Sequence, residues 1–242
     1  MSLPHFFAGA PAPGEPVALA PEDARHALRS LRLREGDEFT SSDGAGGLVR
    51  CRVVRAAHLL VEGEVVERTV EAPMRPSLSV LLAPPKGDRL TWAVQKLTEL
   101  GVDRIVLVES ARSVRRWEGD RAARVGPRLE AVVREAAKQS RRRFLPAVVG
   151  PLPWAEAVVP EAEPTVLLWE GAREGLLRAL PDGSPDTLSL VVGPEGGIPE
   201  EDAMAAERAG ARLAGLGPAI LRTETAAVAA AAVVLARYGR LG

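Results

Sequence analysis

The sequence of 242 residues holds one cysteine, three lysines, one tyrosine and no asparagine. A lone Cys51 forms no internal disulfide, and no Cys/His set has the spacing of a zinc site. A metal-free protein of the cytoplasm is therefore expected. No apolar run is long and uncharged enough to span a bilayer, and residues 1–7 lack a basic stretch ahead of an apolar one, so neither a membrane span nor a secretory leader is expected. Neither Gly-x-x-x-x-Gly-Lys-Ser/Thr nor Gly-x-Gly-x-x-Gly occurs, which removes the usual equipment for a nucleoside triphosphate or a dinucleotide. Missing asparagine and an almost all-arginine cation set fit a high-temperature source or GC-biased coding equally.

The net charge is −1, but it is unevenly spread. Between Arg112 and Arg143, eleven cations face Glu118, Asp120, Glu130 and Glu135, a local balance of +7 that leaves −8 for the rest. A basic segment on a neutral chain points to contact with a polyanion, or to a solvated helix face laced with ion pairs.

Two rhythms divide the chain. Residues 15–19, 37–40, 48–54 and 59–66 read as short strands, with Asp43-Gly44-Ala45-Gly46-Gly47 as a hairpin turn. One helix interrupts them, opened by Pro21-Glu22-Asp23 and followed by Gly36. Its expected apolar stripe is Ala24, Leu28 and Leu31, with Arg25, Arg29 and Arg32 on another face. This is a small β-barrel-like module, residues 1–71. After the linker Ala72-Pro73-Met74-Arg75-Pro76, strands at 78–82, 105–108, 166–169, 188–192 and 212–216 alternate with helices at 88–100, 121–140, 174–180, 200–209 and 225–238. Apolar strands alternating with helices predict an α/β domain, residues 72–242, whose parallel sheet is covered on both faces.

Ligands of such sheets bind beyond the carboxyl ends of the strands, where two glycine-proline loops lie. The first reads Val191-Val192-Gly193-Pro194-Glu195-Gly196-Gly197-Ile198-Pro199. Acidic Glu200-Glu201-Asp202 follows it, which disfavours an anion at that helix start. The second reads Leu216-Gly217-Pro218-Ala219-Ile220-Leu221-Arg222-Thr223-Glu224-Thr225-Ala226. Backbone groups and aliphatic side chains there suit a flat heterocycle. The alternative for the first is a tight strand-helix turn, and for Glu224 and Thr225 a helix cap.

These loops resemble the SPOUT class of S-adenosylmethionine-dependent RNA methyltransferases, and within it the ribosomal RNA small subunit methyltransferase E family. Further motifs, in order, carry the resemblance along nearly the whole chain: His26-x-x-Arg29-x-Leu31-Arg32-x-x-x-Gly36-Asp37, Lys86-Gly87-Asp88-Arg89, Gln95-Lys96-x-x-Glu99-Leu100-Gly101-Val102, and Gln139-Ser140 with Arg142 and Pro146. Lys138 and Arg141 depart from the family's Glu and Gly, making that last element more basic.

The resemblance implies a SPOUT-type parallel sheet with a C-terminal trefoil knot behind a PUA-like RNA-binding barrel, a homodimer, and methylation of a uridine at N3 in small-subunit (16S) ribosomal RNA. The lack of an aromatic-rich RNA-binding pattern points to shape and backbone contact, and so to an assembled or nearly assembled subunit as the substrate. It implies a site for S-adenosyl-L-methionine lined by Leu168, Gly193, Glu195, Gly196, Gly197, Leu216, Gly217, Ile220, Leu221 and Arg222. Arg222, Glu195 and Glu224 are the catalytic candidates: the first for developing charge on uracil, the acids for its proton. His26, Arg29, Arg32, Arg112, Arg115, Arg116 and Arg142 are the candidate phosphate track, with His26 equally readable as a partly buried histidine. Two alternatives stand: another RNA target such as a ribose 2′-oxygen, and a non-catalytic RNA-binding assembly protein.

Overall fold

The computed structural model describes residues 3–109, 120–158 and 164–241, with the side chains of 120–124 left aside. The chain divides into two compact units: Met1–Pro73 with Ala137–Leu145, and Met74–Ala136 with Pro146–Gly242.

In the first unit, strands β1 (His5–Phe6), β2 (Pro16–Ala18), β3 (Glu38–Ser42), β4 (Gly47–Ala57) and β5 (Leu60–Val70) form one sheet in the order β1-β3-β4-β5-β2. Alternation sets its faces. Val49, Cys51 and Val53 of β4 are buried, while Arg50 between them reaches Glu38 at 2.8 Å and Glu67 at 3.1 Å. The hairpin turn forms where expected: the Asp43 carboxylate accepts from the amides of Ala45 (2.7 Å) and Gly47 (3.0 Å), as aspartate does in tight turns. Gly63 lets β5 press on the Phe39 ring; a Cβ there would lie 2.6 Å from it.

The helix α1 (Pro21–Arg29) buries Ala24 and Ala27. It ends sooner than the charge spacing suggests. Arg32 takes a left-handed φ of 58°, and the turn sends Leu33 inward (8% exposed) instead of Leu31 (42%). The Arg25–Arg29–Arg32 helical stripe thus loses its third member to the turn.

The second unit holds β6 (Ser77–Leu82), α2 (Arg89–Leu100), β7 (Arg104–Glu109), most of α3 (Asp120–Ser140), β8 (Ala147–Pro153), α4 (Trp154–Ala157), β9 (Thr165–Leu168), α5 (Leu176–Ala179), β10 (Thr187–Val192), α6 (Glu200–Arg208), β11 (Arg212–Ala214) and α7 (Thr223–Arg237). Every strand pair in its sheet is parallel, in the order β11-β9-β10-β6-β7-β8. The inner strands β6, β7, β9 and β10 are buried along nearly their whole length, as covering by helices on both faces requires. Leu81, Val106, Val108, Leu167 and Val191 pack with α6 residues Ala203 and Ala206. On α7, Ala227, Ala230, Ala231, Val234 and Leu235 are buried, a helical stripe of mostly small residues that lets the helix sit close against β6 and β10. No described helix is long and apolar enough to cross a membrane.

Among the elements that depart from the sequence expectation are β8 and β11. β8 reads as loop because Gly150, Pro151 and Pro153 break its pattern, yet at a sheet edge proline is tolerated. β11 stops at Ala214 rather than residue 216, which frees Gly215 and Leu216 for the loop that follows.

Candidate functional site

Three adjacent strands, β11, β9 and β10, end side by side, and the loops leaving their carboxyl ends enclose a cavity of about 490 Å³. That volume suits a nucleoside-sized ligand. The loop after β10 contributes Gly193, Pro194, Gly197 and Ile198; the loop after β11 contributes Gly215 to Leu221; Leu168 closes the end of β9. Gly197 (φ 75°) and Gly217 (φ 110°) occupy left-handed conformations that a side chain disfavours. A Cβ on Gly193 would lie 2.5 Å from Ile198 Cγ1.

A third wall comes from Trp169, Glu170, Ala172, Arg173, Glu174 and Gly175, after β9. Sequence reasoning placed only Leu168 of this region at the site. The available signal was an apolar strand running straight into Trp169-Glu170-Gly171, with no family motif to mark it. This wall carries the charged residues of the lining: Glu170, Arg173 and Glu174.

Hydrogen bonds bind the walls together. The Trp169 indole donates to the Ile198 carbonyl at 3.1 Å. The Gly215 amide donates to the Glu174 carbonyl at 2.8 Å, and the Leu176 amide donates to the Gly215 carbonyl at 3.0 Å. The Thr223 hydroxyl, in the first turn of α7, donates to the Gly193 carbonyl at 3.2 Å.

Of the expected cofactor residues, Leu168, Gly193, Gly197, Leu216, Gly217, Ile220 and Leu221 line the cavity, whereas Glu195, Gly196 and Arg222 do not. Ile220 is 93% exposed despite being apolar. Arg222 is the exposed N-cap of α7, without a side-chain capping bond. Glu195 turns away from the lining and accepts from Arg89 at 3.0 Å and from the Lys86 amide at 3.3 Å. Glu224 is buried in the first turn of α7, 3.6 Å from Arg89, and its Oε2 has no hydrogen-bond partner. Arg89, singled out in the sequence only as part of a motif, thus contacts both candidate acids.

In the first unit, His26 and Arg29 lie exposed on α1, Arg32 is exposed in the turn beyond, and Arg142 is half-buried. Arg112, Arg115 and Arg116 lie outside the described residues. Lys138 does not add free charge as its sequence context suggests: its ammonium meets Asp23 at 2.5 Å, both groups largely buried. Arg143 reaches Glu71 at 3.1 Å. Three or more His, Cys, Asp or Glu side chains placed to hold a metal ion do not occur among the described residues.

Comparison with known proteins bears on this geometry. Residues 72–235 match the RNA methyltransferase domain family and residues 19–66 the RNA methyltransferase PUA domain family. The ribosomal RNA small subunit methyltransferase E of Mycobacterium bovis is 36% identical over 219 residues, covering 88% of this chain and 83% of that one. Its Bacillus subtilis counterpart is 31% identical over 217 residues, covering 85% and 84%. Among solved structures, the Neisseria gonorrhoeae ribosomal RNA small subunit methyltransferase E bound to S-adenosyl methionine superposes with a TM-score of 0.84 at 28% identity, covering 98% of both chains.

Proposed function

Since the chain belongs to the ribosomal RNA small subunit methyltransferase E family of RNA methyltransferases, we propose that it transfers a methyl group from S-adenosyl-L-methionine to N3 of a uridine in small-subunit ribosomal RNA. The observation that carries this reading is the cavity closed by the loops of β9, β10 and β11.

The residues present fit that cofactor. Leu168, Leu216, Ile220 and Leu221 offer aliphatic contact to an adenine, while Gly193, Gly197 and Gly217 allow close backbone approach. Glu170 and Glu174 bring negative charge toward a ligand whose sulfonium and amino groups are cationic. When bound, the cofactor supplies a methyl group already activated for transfer. The protein's part is to align a nucleophile with it.

Uracil N3 becomes nucleophilic on losing its proton, so the site needs a proton acceptor or a stabiliser of the anion. Arg222, exposed directly after the cavity residue Leu221, is positioned to meet negative charge on the uracil oxygens. Glu195 and Glu224 are the carboxylates available to take or hold a proton, both tied to Arg89. N3 lies on the pairing edge of the base, so the target uridine is presented unpaired or flipped out.

His26, Arg29, Arg32 and Arg142, with Arg112, Arg115 and Arg116, serve as the phosphate track, and residues 1–71 act as the RNA-binding module. With few aromatic side chains, 4% of the chain, recognition rests on backbone and shape rather than on stacking of several bases. An assembled or nearly assembled subunit is accordingly the preferred substrate. The reading carries with it a C-terminal trefoil knot in residues 72–242, a homodimer and action in the cytoplasm.

Transfer of tritium from labelled cofactor into small ribosomal subunits, followed by nucleoside analysis, tests the proposal. Labelled 3-methyluridine is expected; labelled 2′-O-methylnucleoside would reject the target chemistry. Calorimetric titration with S-adenosylmethionine and with ATP tests the pocket itself, since binding of ATP alone would overturn the cofactor assignment.

A further inference from the structure

Arg89 occupies an electrostatically poor position. It is the first residue of α2, where the positive end of the helix dipole opposes a cation, and the N-cap carboxylate of Asp88 is fully exposed and faces Arg128 at 3.6 Å. Two carboxylates from distant parts of the chain compensate. Glu195 accepts from Arg89 Nη1 at 3.0 Å, and Glu224 Oε1 lies 3.6 Å from Arg89 Nε.

The three members differ in freedom. The Glu224 side chain is 9% exposed, Glu195 25% and Arg89 44%. The Glu224 carboxylate is buried with its Oε2 unpartnered, so the guanidinium beside it is the group that offsets the cost of its burial. Glu224 is therefore the anchor, Arg89 the bridge, and Glu195 the group that is held. Glu195 lies between Pro194 and Gly197, which line the cavity, so holding its side chain from outside holds that loop. The ends of the same loop are tied by neutral bonds, Thr223 to Gly193 and Trp169 to Ile198. Without the guanidinium, the two carboxylates would face each other's like charge, and Glu195 would swing toward water.

We infer that Arg89 is a positioning residue for methyl transfer, linking the buried Glu224 to Glu195 and so keeping the Gly193–Ile198 loop shaped to hold the cofactor. This rests on the cofactor assignment above and adds a residue to it. The link is a bidentate-capable planar fork, so lysine replaces its charge but not its two-sided reach.

The test is a double-mutant cycle read by calorimetric titration of the full chain with S-adenosylmethionine, with melting temperature recorded for each protein. Arg89→Ala and Glu195→Ala are each expected to weaken cofactor binding about tenfold, and the double variant no more than the weaker single, because both break one link. Arg89→Lys is expected to recover part of the loss. Wild-type affinity in Arg89→Ala, or losses that multiply in the double variant, would overturn the inference. Should Arg89→Ala not fold, the cycle of Arg89→Lys with Glu195→Gln carries the same criterion. Failure of the wild-type protein to bind the cofactor would instead count against the proposed function.

Discussion

Trp169 donates its indole hydrogen to the backbone carbonyl of Ile198 at 3.1 Å, joining the loop after β9 to the loop after β10. The ring lies over Gly171, where a Cβ would come within 2.5 Å of it, so the loop needs glycine there for the indole to take this place. Trp169→Phe keeps most of the apolar contact and deletes the bond. A hydrogen bond of this kind contributes ~1 kcal/mol, so cofactor affinity is expected to fall about fivefold by calorimetry. Unchanged affinity would mean the two walls hold without this tie.

Gly193 is required by space. Alanine there would meet Ile198 Cγ1 at 2.5 Å and Cδ1 at 2.8 Å, and overpacking of this order costs ~1–3 kcal/mol. Gly193→Ala is expected to weaken cofactor binding, and adding Ile198→Ala, which removes both obstructing atoms, is expected to restore part of it. A double variant that binds worse than Gly193→Ala would place the glycine's importance elsewhere.

Arg222 borders the cavity without lining it. Arg222→Ala is expected to keep most cofactor affinity while turnover on small subunits drops ~100-fold, as loss of a single charge stabiliser does. Equal losses in affinity and turnover would move the residue from reaction to binding.

At the opposite end of the same sheet, Arg240 forms a two-pronged pair with Asp103 at 2.6 and 3.1 Å, and donates to the Gly101 carbonyl at 2.8 Å. Asp103 also accepts from the Leu78 amide at 2.8 Å, at the start of β6. The Arg240 side chain is 6% exposed, so Arg240→Ala leaves Asp103 without its counter-charge at a cost of ~3–5 kcal/mol. The melting temperature is expected to drop by roughly 10 °C, with cofactor affinity unchanged below the transition. A shift of a degree or less would show the pair to be dispensable.

His5 is buried beside Arg141, Arg142 and Arg143, with Nδ1 3.0 Å from the Thr40 hydroxyl. Burial lowers its pKa from 6.5 to about 4; the Arg142 backbone opposes this, and the charges of Arg141 and Arg143 add to it. The fold therefore favours the neutral ring, while the unfolded chain takes up a proton near pH 6.5. This group's contribution is complete above that pH, declines as pH falls toward about 4, and changes no further below. Urea unfolding across this range should show a smaller loss for His5→Gln than for the wild type; parallel curves would contradict the depressed pKa.

Periodicity made the long elements legible. The helix at 225–238 and the near-continuous apolar strands β6, β7 and β10 were readable because each is long and uniform enough to leave a pattern along the chain, and the fold buries Ala227, Ala230, Ala231, Val234 and Leu235 of that helix. Short or broken elements carry no such repeat: β1 has two residues, and β8 contains prolines that signal a loop until an edge position is found for it. Leu31, expected in the apolar stripe, is exposed, and Leu33 is buried in its place, because one left-handed residue, Arg32, ends the helical register between them. At the site, both glycine-proline loops were visible because glycine and proline act locally on the backbone. Trp169–Gly175 was not, because its role depends on which strand lies between β10 and β11.

Chain order alone determined the chemical repertoire: apolar strands able to line a sheet, glycines able to turn tightly at their ends, and charges placed near those turns. Folding decided which charges meet. Arg89 and Glu195 are 106 residues apart, and Lys138 and Asp23 are 115 apart. Local spacing acts over a few residues through backbone geometry, whereas an ion pair acts through space, so only the packed sheet reveals that Glu195 points outward and that Lys138 is already matched.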